Sequence, residues 1–243
     1  MELNEPPRPA VIPDRIDAVT FDCYGTLVDW ERGILDALRS LLPRDIATDD
    51  EVLRAFARAE AAAESGAYRP YAEVLLVVEE AVRCAFGIDS RATGLLRESL
   101  PTWPAFEDSA AAINDLRRHC RVGVISNIDD ALFEAHMRNA GIVVDFVVTA
   151  QSCGSYKPAA LNFLEARSRH GLGNAWIHAA ESLYHDVRPC NSLGIPCVWI
   201  HRRHAQPGFG ATAGAEAVPS ARVTSVRALV DLLSPRLAGR TGE

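Results

Sequence analysis

The chain has 243 residues, 48% of them hydrophobic and 23% charged, with a formal net charge of −7. That is enough apolar material for one large domain or a domain with an insertion. The acidic balance, with a pI near 5.5, excludes a general nucleic-acid binder, which needs a basic face. No apolar run approaches the roughly 20 residues of a membrane span.

The stretch from Met1 to Arg15 is Pro-rich and lacks the basic-then-apolar layout of a signal peptide; it reads as a partly ordered arm. The cysteines (Cys23, Cys84, Cys120, Cys153, Cys190, Cys197) are scattered, with no CxxC pair, and several lie in apolar runs. They read as reduced, packed thiols of a cytoplasmic protein.

The first clear element is the apolar run Ala18-Val19-Thr20-Phe21, which predicts a buried parallel strand ending at Asp22. Gly25 then predicts a tight turn. From Glu31 to about Leu100 the pattern is helical. Ile34, Leu35, Leu38, Leu41 and Leu42 have helix spacing, Thr48-Asp49-Asp50 offers a new N-cap, and Val52 to Ser65 is rich in helix formers. Pro70 starts another helix with an apolar stripe at Val74, Leu75, Val78, Val82 and Phe86, and a short helix ends before Pro101.

From Trp103 strands and helices alternate. Strands are predicted at Arg121–Asn127, Phe146–Thr149, Ala175–Ala180 and Cys197–Ile200. Helices are predicted at Ser109–His119, Asp130–Ala140, Pro158–His170, Val187–Leu193 and Val223–Leu233. Ala205 to Ala221, rich in Gly and Ala, reads as a loop. This rhythm predicts an α/β fold, a doubly wound parallel sheet of Rossmann-like type. Residues 1–30 and 101–243 form its core, and 31–100 form an inserted helical cap.

In such a sheet the carboxyl ends of the strands share one edge, where ligands bind. That edge collects Asp22, Ser126-Asn127, Lys157 and His185-Asp186. Each has a plainer reading as a turn, cap or solvated residue; together they offer a nucleophile, hydrogen-bond donors, a cation and a second acid. The order of a strand with Asp22-Cys23-Tyr24-Gly25-Thr26-Leu27, a strand with Ser126-Asn127, then Ser155-Tyr156-Lys157-Pro158, then a strand followed by an acid, resembles the haloacid dehalogenase superfamily. The likeness runs from Asp17 to about Leu233.

Phosphatases of that superfamily carry a second Asp two residues after the nucleophile; here the position is Tyr24. A phenol of pKa about 10 does not readily protonate a leaving alkoxide. The site is also poor in the oxygen ligands that Mg²⁺ prefers. The chain therefore looks like the 2-haloacid dehalogenase branch, whose members work without metal or other cofactor.

That resemblance implies hydrolysis of short (S)-2-haloacids to 2-hydroxy acids through an ester on Asp22, with haloacid and water as the reactants and no nucleic-acid or membrane partner; it also allows a homodimer. It implies roles for Lys157 in orienting Asp22, for Ser126 and Asn127 on the substrate carboxylate and halide, for Tyr24 in lining the pocket, and for Asp186 in holding Lys157 and the water. The chain departs from the branch at Leu183, where an Asn is expected. His185, oriented by Glu31, is then the expected general base, and Arg58 of the cap the expected halide ligand. Two alternatives stay open: a phosphatase or other hydrolase using Asp22, and a non-catalytic binding protein on the same fold.

Overall fold

β1 (Ala18–Phe21) is the central strand, and all four of its residues are buried. Sheets buried on both faces take continuous apolar runs rather than alternating ones. In the computed structural model, which describes residues 9–88 and 93–237, β1 lies between β2 (Arg121–Ser126) and β4 (Trp176–Ala180). Adding β3 (Phe146–Thr149), β5 (Cys197–Ile200) and β6 (Ala221–Val223) gives a sheet of order β3-β2-β1-β4-β5-β6, with every pairing parallel. The chain winds outward from β1 to β3, then crosses back to β4 on the other side of β1. This reversal is the switch point at which such sheets open a crevice, and β1 and β4 deliver Asp22 and Asp186 to it.

Between β1 and residue 100 the described residues form four α-helices: α1 (Trp30–Leu38), α2 (Asp49–Glu64), α3 (Tyr71–Ala85) and α4 (Leu95–Ser99). A reciprocal capping box opens α2, in which Thr48 accepts from the Glu51 N–H and the Glu51 side chain from the Thr48 N–H. Gly33 lets α1 approach the loop after α4, since a Cβ there would lie 2.2 Å from the Trp103 ring. Leu38, Phe56, Val74 and Val78 join Phe21 and Val124 in one buried apolar cluster, so these helices and the sheet share a core.

α5 (Ser109–Arg117), α6 (Asp130–Ala140), α7 (Ala150–Cys153), α8 (Leu161–His170), α9 (Arg188–Leu193) and α10 (Val226–Leu233) complete the fold.

Two differences from the expected elements bear on function. β6 falls where a loop and a helix start were expected, because a three-residue, half-exposed strand leaves almost no apolar signal. The helix expected from Val187 is preceded by one wide, π-type turn at Leu183–Val187 that carries His185 and Asp186; such turns are rare and favour functional sites. Ser182 caps this turn, accepting from the His185 N–H at 2.9 Å.

The expected arm at Met1–Arg15 falls partly outside the described residues. None of the described helices is long and apolar enough to cross a membrane.

Candidate active site

Asp22 follows β1 directly, and its carboxylate is gripped at both oxygens. Thr26 Oγ1 donates to Oδ2 at 2.8 Å, and Lys157 Nζ donates to Oδ1 at 2.9 Å. Gly25, at φ +90°, makes the tight turn that brings Thr26 back over Asp22. The Lys157 ammonium also donates to Asp186 Oδ1 at 2.7 Å and to the Ile125 carbonyl at 2.8 Å. All three of its protons are thereby used, in a side chain only 1% exposed.

Burial works against the charge on Lys157, but Asp186 and Asp22 outweigh it and hold the ammonium firmly protonated. Burial also opposes the charge on Asp186, yet Lys157 and His178 bring its pKa to about 2. For Asp22 burial is the larger influence: it pushes the carboxyl up against the pull of Lys157, making Asp22 the weaker acid of the two. The ammonium pulls Asp22 down, but it is shared with Asp186.

Asn127 lines the pocket and also grips the segment that carries Lys157. Its Nδ2 donates to the Lys157 carbonyl at 3.0 Å and its Oδ1 accepts from the Lys157 N–H at 2.7 Å, so it fixes the lysine's backbone. Ser126 is different: its hydroxyl is buried, lines the pocket and has no hydrogen-bond partner. Asp186 Oδ2 is likewise buried without a partner on the same pocket wall. Cys23 is buried with its thiol pushed well up, first by burial and then by Asp22, which disqualifies it as a nucleophile.

Two expected roles fall away. Glu31 does not reach His185; it accepts from Arg203 and from the Ala211 N–H at 2.9 Å, tying α1 to the loop before β6. His185 instead meets Ser182 Oγ through Nδ1 at 3.3 Å. Burial drives its pKa to about 4, so the ring is neutral at physiological pH.

Arg58 is exposed and lines a separate cavity of about 450 Å³ with Arg54 and Arg203. At 100° per residue it lies about 200° around α2 from position 60, on the face turned away from the nucleophile. That helix presents Glu60 and Glu64 to Asp22 instead. With Tyr71, Trp30 and Tyr24 they line a pocket of about 40 Å³ over Asp22, Ser126, Lys157, His185 and Asp186.

Two further histidines, absent from the sequence argument, set orientations here. His136 Nε2 meets only the Trp103 carbonyl, at 2.9 Å, so it carries the proton. Burial keeps the ring neutral, so Nδ1 must accept, and Tyr24 Oη–H donates to it at 3.1 Å. The Tyr24 hydroxyl therefore turns only lone pairs toward the pocket. His178 stands opposite Thr20 in the β1–β4 register. It bonds Asp186 Oδ1 at 3.0 Å through Nε2 and Thr20 Oγ1 at 2.8 Å through Nδ1, while Trp176 Nε1 donates to Thr20 at 2.8 Å. This buried chain aims Asp186.

Some of these residues left a signal in the sequence. Thr26 sits inside the Asp22-to-Leu27 motif. Glu60 falls on the Val52–Phe56 stripe of α2, an acid on a buried face.

A family model described as haloacid dehalogenase-like hydrolase matches residues 16–180. No curated protein matches the chain by sequence. Among solved structures, the defluorinating L-2-haloacid dehalogenase Rha0230 is 22% identical with a TM-score of 0.75, covering 93% of this chain and 100% of its own. The L-2-haloacid dehalogenase of Xanthobacter autotrophicus with chloropropionic acid covalently bound is 16% identical, also with a TM-score of 0.75, covering 90% of this chain and 98% of its own. The HAD-hydrolase YfnB of Bacillus subtilis, bound to magnesium, is 15% identical with a TM-score of 0.74, covering 90% of this chain and 99% of its own. At these identities the structural likeness speaks for the fold. The family-model match across 16–180, on a parallel sheet that delivers Asp22, Ser126, Lys157 and Asp186 to one edge, establishes that the chain belongs to the haloacid dehalogenase-like hydrolases.

Proposed function

We propose that the chain hydrolyses the carbon–halogen bond of short 2-haloacids through an ester on Asp22. The observation that carries this reading is the Tyr24 hydroxyl, committed as donor to His136 two residues beyond the nucleophile. An alkoxide leaving group needs a proton from such a position; a halide leaves without one.

In the first step an Asp22 oxygen attacks the halogen-bearing carbon, the new C–O bond forms, and the halide departs with the bonding pair. Thr26 and Lys157 keep the carboxylate aligned for that attack. Ser126, with its unpartnered hydroxyl, receives the substrate carboxylate. In the second step water attacks Cγ of Asp22. Neutral His185 takes the water's proton, Lys157 stabilises the charge that builds on the ester's carbonyl oxygen, and the Cγ–O bond then breaks as His185 returns the proton to the departing oxygen of the 2-hydroxy acid. Water attack on the enzyme rather than the substrate gives inversion at carbon. A cavity of about 40 Å³ supports a substrate of two or three carbons.

The superfamily implies Mg²⁺ for its phosphatases, and the donors present fit that ion poorly. Lys157 Nζ already bridges Asp22 and Asp186, and the residue beside Asp186 is an imidazole. One observation favours a phosphatase as a second reading: Glu60, pushed to about 7 by burial, is a carboxylic acid placed to protonate an alkoxide.

Chloride release from (S)-2-chloropropionate in EDTA, run beside p-nitrophenyl phosphate hydrolysis with Mg²⁺, separates the two. One turnover in ¹⁸O-water should label Asp22 by mass spectrometry, and Asp22→Asn should abolish release. Phosphate release alone would sink the dehalogenase reading.

A further inference from the structure

The roof and the floor of the pocket differ in what they ask of a ligand. The floor has Lys157, with every proton used, and the unpartnered Ser126 hydroxyl in a residue 1% exposed. The roof has two carboxyl groups one helical turn apart on α2. Glu60 accepts from Tyr71 Oη at 2.6 Å, and Glu64 makes no hydrogen bond or ion pair among the described residues. Tyr24 adds only lone pairs, its proton being given to His136. Above Asp22, then, the lining is rich in acceptors. The one ammonium among the lining residues is already shared by two carboxylates.

We propose, building on the dehalogenation reading, that Glu60 and Glu64 make this site select a substrate with a protonated amine beside the reacting carbon: an amino-substituted 2-haloacid whose carboxylate lies at Ser126 and whose ammonium lies under α2. An ammonium presents three donors to the acceptors at the roof. A simple haloacid offers them none. Burial raises both carboxyls; a cation is the ligand that favours their ionised form. Arg58 and Arg54, on another face of α2 and beside the neighbouring cavity, leave this acidic surface unopposed.

The test separates recognition from chemistry. Binding of isoserine (3-amino-2-hydroxypropionate, the expected product) and of lactate is measured by calorimetry on the intact protein. Isoserine should bind at least 10-fold tighter than lactate, and in Glu60→Gln/Glu64→Gln the ratio should fall to about one, while thermal unfolding reports that the variant is folded. Equal binding in the native protein, or a preference retained in the folded double variant, overturns the proposal. Halide release from 2-chloropropionate and 3-amino-2-chloropropionate is then compared. Release from both at equal kcat/KM overturns amine selection and leaves dehalogenation standing. Release from neither, with the isoserine preference intact, overturns dehalogenation and leaves amine recognition standing.

Discussion

The floor of the pocket and its roof come from different parts of the chain and are built on different principles. The floor is the edge of the sheet: Asp22, Lys157 and Asp186 close a network in which the ammonium is saturated and the second acid is aimed by His178. The roof comes from α2 and α3, and its carboxyls are raised by burial rather than stabilised by a cation. A network closed on itself fixes a carboxylate, whereas the roof leaves oxygens free for a ligand. On the proposed reading, chemistry belongs to the strand ends and selection to the inserted helices.

The sharpest way to break the floor is Lys157→Met. It leaves two buried carboxylates facing each other without a counter-charge, and breaking a buried pair costs about 3–5 kcal/mol. Urea unfolding should record that loss, and halide release should fall more than about 10³-fold. A variant of near-native stability would mean that the network is not the anchor of the floor.

Next is His178→Phe, which strands Thr20 and Asp186 without their buried partner. A loss of about 1–3 kcal/mol is expected, with kcat lower by about tenfold, equivalent to 1.4 kcal/mol on the barrier, and KM little changed. A rise in KM alone would argue against its role in aiming Asp186.

The roof is read through pH. Glu60 titrates near 7 in the fold against 4.5 as the ordinary value, so between those values the native state holds a proton that the unfolded chain has released. Stability therefore falls as pH rises across that window, by about 3 kcal/mol from this group. His185, lowered to about 4 from 6.5, acts in the opposite sense: the unfolded chain binds the extra proton, and stability rises with pH from 4 to 6.5. Unfolding of the native protein and of Glu60→Gln at pH 5 and pH 8 isolates the glutamate by difference, because His185, Glu64 and Glu181, the last pushed to about 8 by burial, are common to both. The variant should show a shallower downward slope.

The smallest effect is expected from Arg58→Ala. An exposed residue on the far face of α2 should change kcat/KM for any haloacid by less than about twofold. A tenfold loss would show that α2 turns when substrate binds and would overturn the roof as described.

How much of this could be read from the residues in order depends on the distance over which each signal acts. β1, the strand-helix alternation and the edge carrying Asp22, Ser126, Lys157 and Asp186 were legible because apolar runs and strand ends are local features. Thr26 lay in plain view within its motif and went unused. Glu31 and Arg58 lie elsewhere than their expected roles require. Which partner a glutamate meets, or which face of an Ala-rich helix turns inward, depends on packing that acts across the whole chain.

The sequence by itself determined the architecture and the aspartate at its edge, since a buried strand must end somewhere and this one ends on Asp22 beside a glycine turn. Only the tertiary structure decided that His136 takes the proton of Tyr24, that His178 reaches Asp186 through the β1–β4 register, and that α2 lowers acids rather than an arginine onto the site. Hydrogen-bond direction and burial are properties of neighbours that lie up to 158 residues apart along the chain in this site, and no local pattern encodes them.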